Sequence, residues 1–114
     1  MVARTYVPDR GDIVWIDLNP TRGHEQAKTR PAVVVTPKSY NSRSGLMLVC
    51  PITSEIKGYP FEIAVSGKKV SGVILSDHVR SLDWHARNVR FIERAKPSSI
   101  ADLTQKLSAL IGAT

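Results

Sequence analysis

The sequence predicts a mainly β (α+β) fold, a small antiparallel barrel carrying one C-terminal amphipathic helix and one short additional helix. Three observations predict it: short stretches rich in β-branched residues, turn-forming residues between them, and a change to helical spacing in the tail. The expected strands cover residues 13–18, 32–36, 46–52, 61–65, 72–75 and about 78–82. Between them lie Asn19-Pro20 with Gly23, the stretch 41–45, Gly58 to Pro60, and Ser66-Gly67, all residues that favour turns. In the tail, Ile100, Leu103, Leu107, Leu110 and Ile111 recur at helical spacing and form one apolar stripe to pack on the barrel. Just after Pro97, Ser99 with Asp102 forms a capping box that opens this helix, and Gly112 stops it. The short helix is expected over 37–40. At 114 residues the chain has length for one compact domain, spanning 1–114, and not for two.

Composition narrows the class. A hydrophobic share of 42% with 23% charged residues is that of a globular protein, and no low-complexity tract suggests disorder. No apolar run approaches the roughly 20 residues that span a bilayer, and residues 1–12 lack the apolar segment of a signal peptide, so a cytoplasmic protein is expected. The single cysteine, Cys50, rules out an intramolecular disulfide, and its apolar neighbours 46–49 imply a buried thiol. The net charge of +6 suits a polyanionic partner. Nucleic acid, an acidic protein segment and a merely soluble basic surface all remain open on charge alone.

Two polar segments carry candidate chemistry. Residues 20–31, the loop expected to join the first two strands with Arg30 at its end, gather His24, Arg22, Lys28 and Arg30 with Glu25, Gln26 and Thr21, beside Gly23, which lets backbone approach a ligand closely. Such a set suits a phosphate, although a solvated loop has the same composition. Residues 53–58 place Thr53, Ser54 and Lys57 directly after an apolar strand, where a rigid element fixes their position; hydroxyls bonded locally to backbone are the plain alternative. His24-Glu25 begins a zinc-protease pattern, but Lys28 stands where the second histidine belongs. His78 and His85 form no ligand pattern either, and the chain has no phosphate loop or dinucleotide fingerprint, so neither metal nor cofactor is expected.

From about Tyr6 to Gly112 the chain resembles toxins of the MazF/PemK type. The resemblance rests on Tyr6-Val7-Pro8-Asp9 with Gly11-Asp12, Pro20-Thr21 with Gly23 and Glu25-Gln26, and Arg30-Pro31-Ala32-Val33-Val34. It continues through Tyr40-Asn41, Pro51 with Thr53, the run from Lys57 to Glu62, Ser71-Gly72-Val73, Asp77, and Trp84 with Ala86-Arg87. It implies an SH3-like barrel, a homodimer, and cleavage of single-stranded RNA (mRNA, rRNA or tRNA) through the neighbouring 2′-hydroxyl. The products are a 2′,3′-cyclic phosphate and a 5′-hydroxyl. It also implies a MazE-like antitoxin whose acidic, partly apolar segment fills the basic groove, and no membrane.

Carried over residue by residue, the resemblance assigns catalysis to Arg30, Thr53 and Glu25; the candidate RNA-binding residues around them are Gly23, His24, Gln26, Lys28, Ser54, Lys57, Asp77 and Arg80. Lys28-Thr29, His78 and Arg80 depart from the family pattern and bear on which RNA sequence is preferred. Physical chemistry constrains the roles. Negative charge builds on the phosphate oxygens in the transition state, so Arg30 fits as an oriented cation and Thr53 as a hydrogen-bond donor. A guanidinium with a pKa above about 12 is a poor base, which leaves Glu25 the better base and His24 its rival. A histidine acid–base pair drawn from His24, His78 and His85 is a second enzymatic reading. A non-enzymatic poison of DNA gyrase, of the CcdB type with a related fold, is a reading of another class, and fold alone does not separate them.

Overall fold

A computed structural model describes residues 6–19 and 28–112, and of Leu18, Asn19 and Lys28 it describes the backbone only. The chain runs β1 (Asp12–Asn19), β2 (Lys28–Val34), α1 (Lys38–Ser44), β3 (Leu46–Thr53), β4 (Glu62–Ser66) and β5 (Ser71–Leu75). A 3₁₀ turn (Ser76–His78), β6 (Arg80–Asp83), β7 (Arg90–Arg94) and α2 (Pro97–Leu110) complete it. The strands form one curled antiparallel sheet in the order β4-β5-β3-β2-β1-β7, with β6 paired to β3 off this path. Bulges at Asp17/Asn19 and Ile13/Val14 bend β1. The result is half a barrel with two helices.

β3 is the hinge of this curl. Its first half pairs with β6 from Leu46↔Asp83 to Val49↔Arg80, and its middle with β2 from Val34↔Val49 to Ala32↔Pro51. Its last two residues turn to β5, as Ile52↔Ile74 and Thr53↔Val73. Because the sheet is covered on both faces, side-chain alternation sends neighbours to different cores. Ile13, Val33, Cys50, Ile52 and Ile74 pack with Leu103 of α2, while Val14, Ile16, Ala32, Val34, Met47 and Val49 pack with Leu82 and Trp84. Double-sided burial is why these strands read as continuous apolar runs instead of strict alternation.

Polar residues of the family motifs hold this frame. Asp12, 4% exposed, accepts bonds from Arg94 Nη1 at 2.7 Å, the Asp9 N–H at 3.0 Å and the Tyr6 hydroxyl. Buried Asn41 donates from Nδ2 to Pro8 O and Thr36 O, and its backbone carbonyl accepts Trp84 Nε1–H at 2.9 Å. Pro37 cannot cap α1, and Asp9 Oδ1 takes the first free helical N–H, that of Lys38, at 2.8 Å.

Several expectations need correction. β7 was not expected: only Ile92 of its five residues is buried, and Phe91 is 49% exposed, so the segment reads as polar. β2 begins at Lys28, four residues before its apolar part, because pairing with β1 extends through Thr29↔Asp17. Residues 76–78 form a 3₁₀ turn before β6, not the start of a strand. Lys96, not Ser99, precedes α2; Pro97 sets the start earlier, and Ser99 is buried inside the first turn with no capping bond from Lys96's side chain. α1 is also longer than the expected 37–40. Along α2 the stripe is buried at Leu103 and packed at Ile100 and Leu107, but Leu110 and Ile111 are exposed. Neither helix is long and apolar enough to cross a membrane, among the described residues.

Candidate active site

The β2–β3 ladder organises the site. Alternation puts Arg30, Ala32 and Val34 on one face of β2, and Met47, Val49, Pro51 and Thr53 on the same face of β3. The β2–β3 pairing ends at Ala32↔Pro51, and the next same-face position on each strand is Arg30 and Thr53. The apolar core therefore ends, at this edge, in a guanidinium and a hydroxyl. Arg30 lies within β2 and not at the end of a loop, a correction to the sequence expectation; its Cα partner across β1 is Ile16. Its side chain is exposed, without a hydrogen bond or ion pair among the described residues.

Thr53 is half-buried and locally braced. Its Oγ1 accepts the Glu55 N–H at 3.1 Å, which orients the hydroxyl and leaves its proton available for donation. Behind it, β5 passes so closely that a Cβ on Gly72 would lie 2.2 Å from the Thr53 carbonyl oxygen, and Gly72 adopts φ +140°. Only glycine allows that approach, which explains the Ser71-Gly72-Val73 motif as backbone support for Thr53.

A cavity of about 220 Å³ adjoins Thr53. Glu55, Lys57, Tyr59 and Phe61 of the β3–β4 connection line it, together with Glu62, Leu75, Asp77 and His78. The β4–β5 register, Glu62↔Leu75, brings the connection and the 3₁₀ turn to the same end of the sheet. Glu62 then fastens the loop: its carboxylate accepts the Lys57 N–H at 3.1 Å and the Gly58 N–H at 2.9 Å. On the other side, Ser76 donates from Oγ to Phe61 O at 2.6 Å. His78 Nε2 stands 3.8 Å from Asp77 Oδ1, and Lys57 Nζ 3.9 Å from Glu55 Oε1, both loose exposed pairs.

Of the sequence-derived residues, Thr53, Lys57 and Asp77 line this cavity, and Ser54 is exposed beside it. Arg80 sits on β6 opposite Val49, on the face that carries Arg30 and Thr53. Lys28 opens β2, with its side chain outside the description; Gly23, His24, Glu25 and Gln26 lie outside the described residues. His78, a candidate only in the histidine acid–base reading, lines the cavity too, and Glu55, Tyr59, Phe61, Glu62 and Leu75 are site residues that sequence reasoning missed. Tyr59, Phe61 and Glu62 stood in a family motif, but only the register shows that they enclose a cavity. His85 stacks on Trp84 and pairs with Asp83 at 3.6 Å, on a different segment from His78. Cys50 is fully buried below the site; burial, then the Asp77 carboxylate, pushes its thiol up to about 12. No three His, Cys, Asp or Glu side chains come together to hold a metal ion, among the described residues.

Comparison with known proteins agrees with this frame. Residues 9–111 match the family described as PemK-like, MazF-like toxin of type II toxin-antitoxin system. The endoribonuclease toxin MazF of Escherichia coli K12 is 46% identical over 112 residues, covering 98% of this chain and 100% of that one. Endoribonuclease PemK of Escherichia coli is 32% identical over 116 residues, covering 97% and 87%. The crystal structure of MazF from Deinococcus radiodurans superposes with a TM-score of 0.86 at 47% identity, covering 95% and 99%. A MazE-MazF crystal structure from the same organism gives 0.90 at 46% identity, covering 96% and 100%. With its curled half-barrel matched along nearly its whole length by endoribonuclease toxins, the chain belongs to the PemK/MazF toxin family of type II toxin–antitoxin systems.

Proposed function

We propose that this protein is the toxin half of such a pair, a sequence-selective endoribonuclease that cuts single-stranded RNA without a metal and so halts translation and growth in the bacterial cytoplasm. The observation that carries the reading is the placement of Arg30 and Thr53 as the next same-face residues beyond the Ala32↔Pro51 pair. In the proposed reaction the 2′-oxygen attacks the adjacent phosphorus and the bond to the 5′-oxygen breaks. The 2′-proton passes to a base, and the departing 5′-oxygen gains a proton. The products are the 2′,3′-cyclic phosphate and the 5′-hydroxyl. Arg30, an exposed guanidinium on a rigid strand, meets the charge growing on the phosphate oxygens, and Thr53 donates to one of them. Glu25 is the proposed base. Gly23, His24, Gln26, Lys28, Ser54, Lys57, Asp77 and Arg80 are the proposed RNA contacts.

The partners follow the same chemistry. A second copy of the chain is supported by exposed Phe61, Leu110 and Ile111, apolar surface of the kind that association covers. An antitoxin segment that is acidic and partly apolar suits a chain of net charge +6 with this surface. The test is to incubate the protein with a long RNA in excess EDTA and to map the new 5′ ends and their chemistry. Discrete cuts with cyclic phosphate ends are expected. Intact RNA, or activity that returns only with a divalent ion, would overturn the reading.

A further inference from the structure

Arg30 and Thr53 share one edge of the core, but no strand pairing joins them directly. The β2–β3 ladder ends at Ala32↔Pro51, and at the level of Thr53 strand β3 has left β2 for β5, through Thr53↔Val73. Their spacing is therefore set by the longer way round the curl. From Arg30 that path crosses to Ile16 on β1, and from Ile13 of β1 to Glu93 on β7. From Thr53 it crosses to Val73 and follows β5 back to the β4–β5 turn. Glu93 joins the two arms: its carboxylate accepts the N–H groups of Lys68, Lys69 and Val70 at 3.0, 2.9 and 2.8 Å.

The turn is built around that carboxylate. The Gly67 N–H donates to Val70 O at 2.8 Å and tightens the turn, and a Cβ on Gly67 would lie 2.5 Å from Glu93 Oε2. Val70 and Ile92 also share the core below. Apolar contact has no direction and permits sliding, whereas three hydrogen bonds to one carboxylate fix a position. At its other end the β4–β5 hairpin pairs with β3 only through Ile52↔Ile74 and Thr53↔Val73, among the described residues. Held so briefly at its base, the hairpin takes its angle from the anchor at its tip. Thr53 follows it, because the Gly72 backbone lies against the Thr53 carbonyl. Resting on the nuclease reading, we infer that Glu93 is a positioning residue for RNA cleavage: it closes the half-barrel and so holds Thr53 at its working distance from Arg30, without touching RNA itself.

The test is steady-state cleavage of one RNA that the wild-type protein cuts, by wild type, Glu93→Ala, Glu93→Gln, Gly67→Ala and the double variant Glu93→Ala/Gly67→Ala. Each is assayed well below its own melting transition, so that lost folding does not enter the rate. A misplaced donor costs rate and not binding. Glu93→Ala is expected to lower kcat by roughly tenfold to a hundredfold with KM unchanged. Glu93→Gln is expected to recover part of the loss, since its amide oxygen still accepts N–H groups. Gly67→Ala should act like Glu93→Ala by displacing the carboxylate, and the double variant should lose no more than either single one, because both break one contact. A merely stabilising carboxylate gives wild-type kcat in Glu93→Ala. That result, a loss confined to KM, or additive losses in the double variant would each overturn the inference while leaving the nuclease reading intact. Absence of cutting by the wild-type protein would overturn that reading instead. Glu93 is then decided by NMR at the Glu55 N–H, which donates to Thr53 Oγ1: a shifted amide in Glu93→Ala supports the positioning role, and an unmoved one overturns it.

Discussion

Arg30 and Thr53 end the same face of two paired strands, one step beyond the Ala32↔Pro51 pair, so a cation and a hydroxyl share one edge of the core. Replacement of Arg30 by alanine is expected to lower single-turnover RNA cleavage by at least about a hundredfold, the scale of losing one transition-state donor. Arg30→Lys recovers part of the rate, because a point charge does not reproduce a forked pair of donors. Thr53→Val is expected to act like Arg30→Ala, and Thr53→Ser to stay close to wild type. Arg30 is exposed, so the Arg30→Ala melting curve changes by at most about 1 kcal/mol. A folded Arg30→Ala protein cutting at the wild-type rate would remove Arg30 from the mechanism.

Asp12 tests the distinction between a structural carboxylate and a functional one. It is 4% exposed and accepts bonds from Arg94, Tyr6 and the Asp9 N–H. Hydrogen bonds to a charged group contribute about 1.5–3 kcal/mol each at most. Asp12→Ala is therefore expected to destabilise the fold by about 2–4 kcal/mol in urea denaturation, and the fraction still folded should cut RNA at the normal rate. Equal stability of the two proteins would contradict this account.

Glu93 stitches the open ends of the half-barrel. Standing on edge strand β7, it accepts the N–H groups of Lys68, Lys69 and Val70 in the β4–β5 turn, at 3.0, 2.9 and 2.8 Å. These bonds, that of Lys69 foremost, hold its carboxyl below the usual range. A carboxyl depressed in the folded state adds stability above its unfolded value near about 4.3, and this is lost as pH falls through the folded value. Urea midpoints of wild type and Glu93→Gln should differ at neutral pH and converge in acid. A difference that persists or grows in acid would show that the carboxylate form is not what matters.

Cys50 should be inert in the native protein. Its thiol is fully buried and pushed up to about 12 by that burial. A thiol reagent at pH 8 is expected to react at a rate set by unfolding, and promptly in guanidinium. Since the unfolded thiol ionises near about 8.5, stability should decline as pH rises above that value, because only the unfolded chain releases the proton. Prompt native-state labelling would place the thiol nearer the surface than the fold does.

By itself the sequence determined the strands built on apolar runs, the helical stripe of Ile100, Leu103 and Leu107, and the burial of Cys50. These are local signals, carried by period and by the free energy of burying apolar surface. The motif resemblance also marked Thr53, Lys57 and Asp77. Tertiary structure decided the rest. β7 carries a single buried residue, Ile92, and exists because its backbone pairs with β1. Lys28, Thr29 and Arg30 are strand residues because β1 extends beside them. Polarity did not distinguish Asp12 and Asn41, which brace the frame, from Asp77, which faces a cavity, since a carboxylate or amide has the same composition in either place. The cavity joins residues 53–62 to residues 75–78 through the Glu62↔Leu75 pair. Such a register is a contact between segments distant in the chain, fixed by how the sheet curls around its core, and no local spacing encodes it.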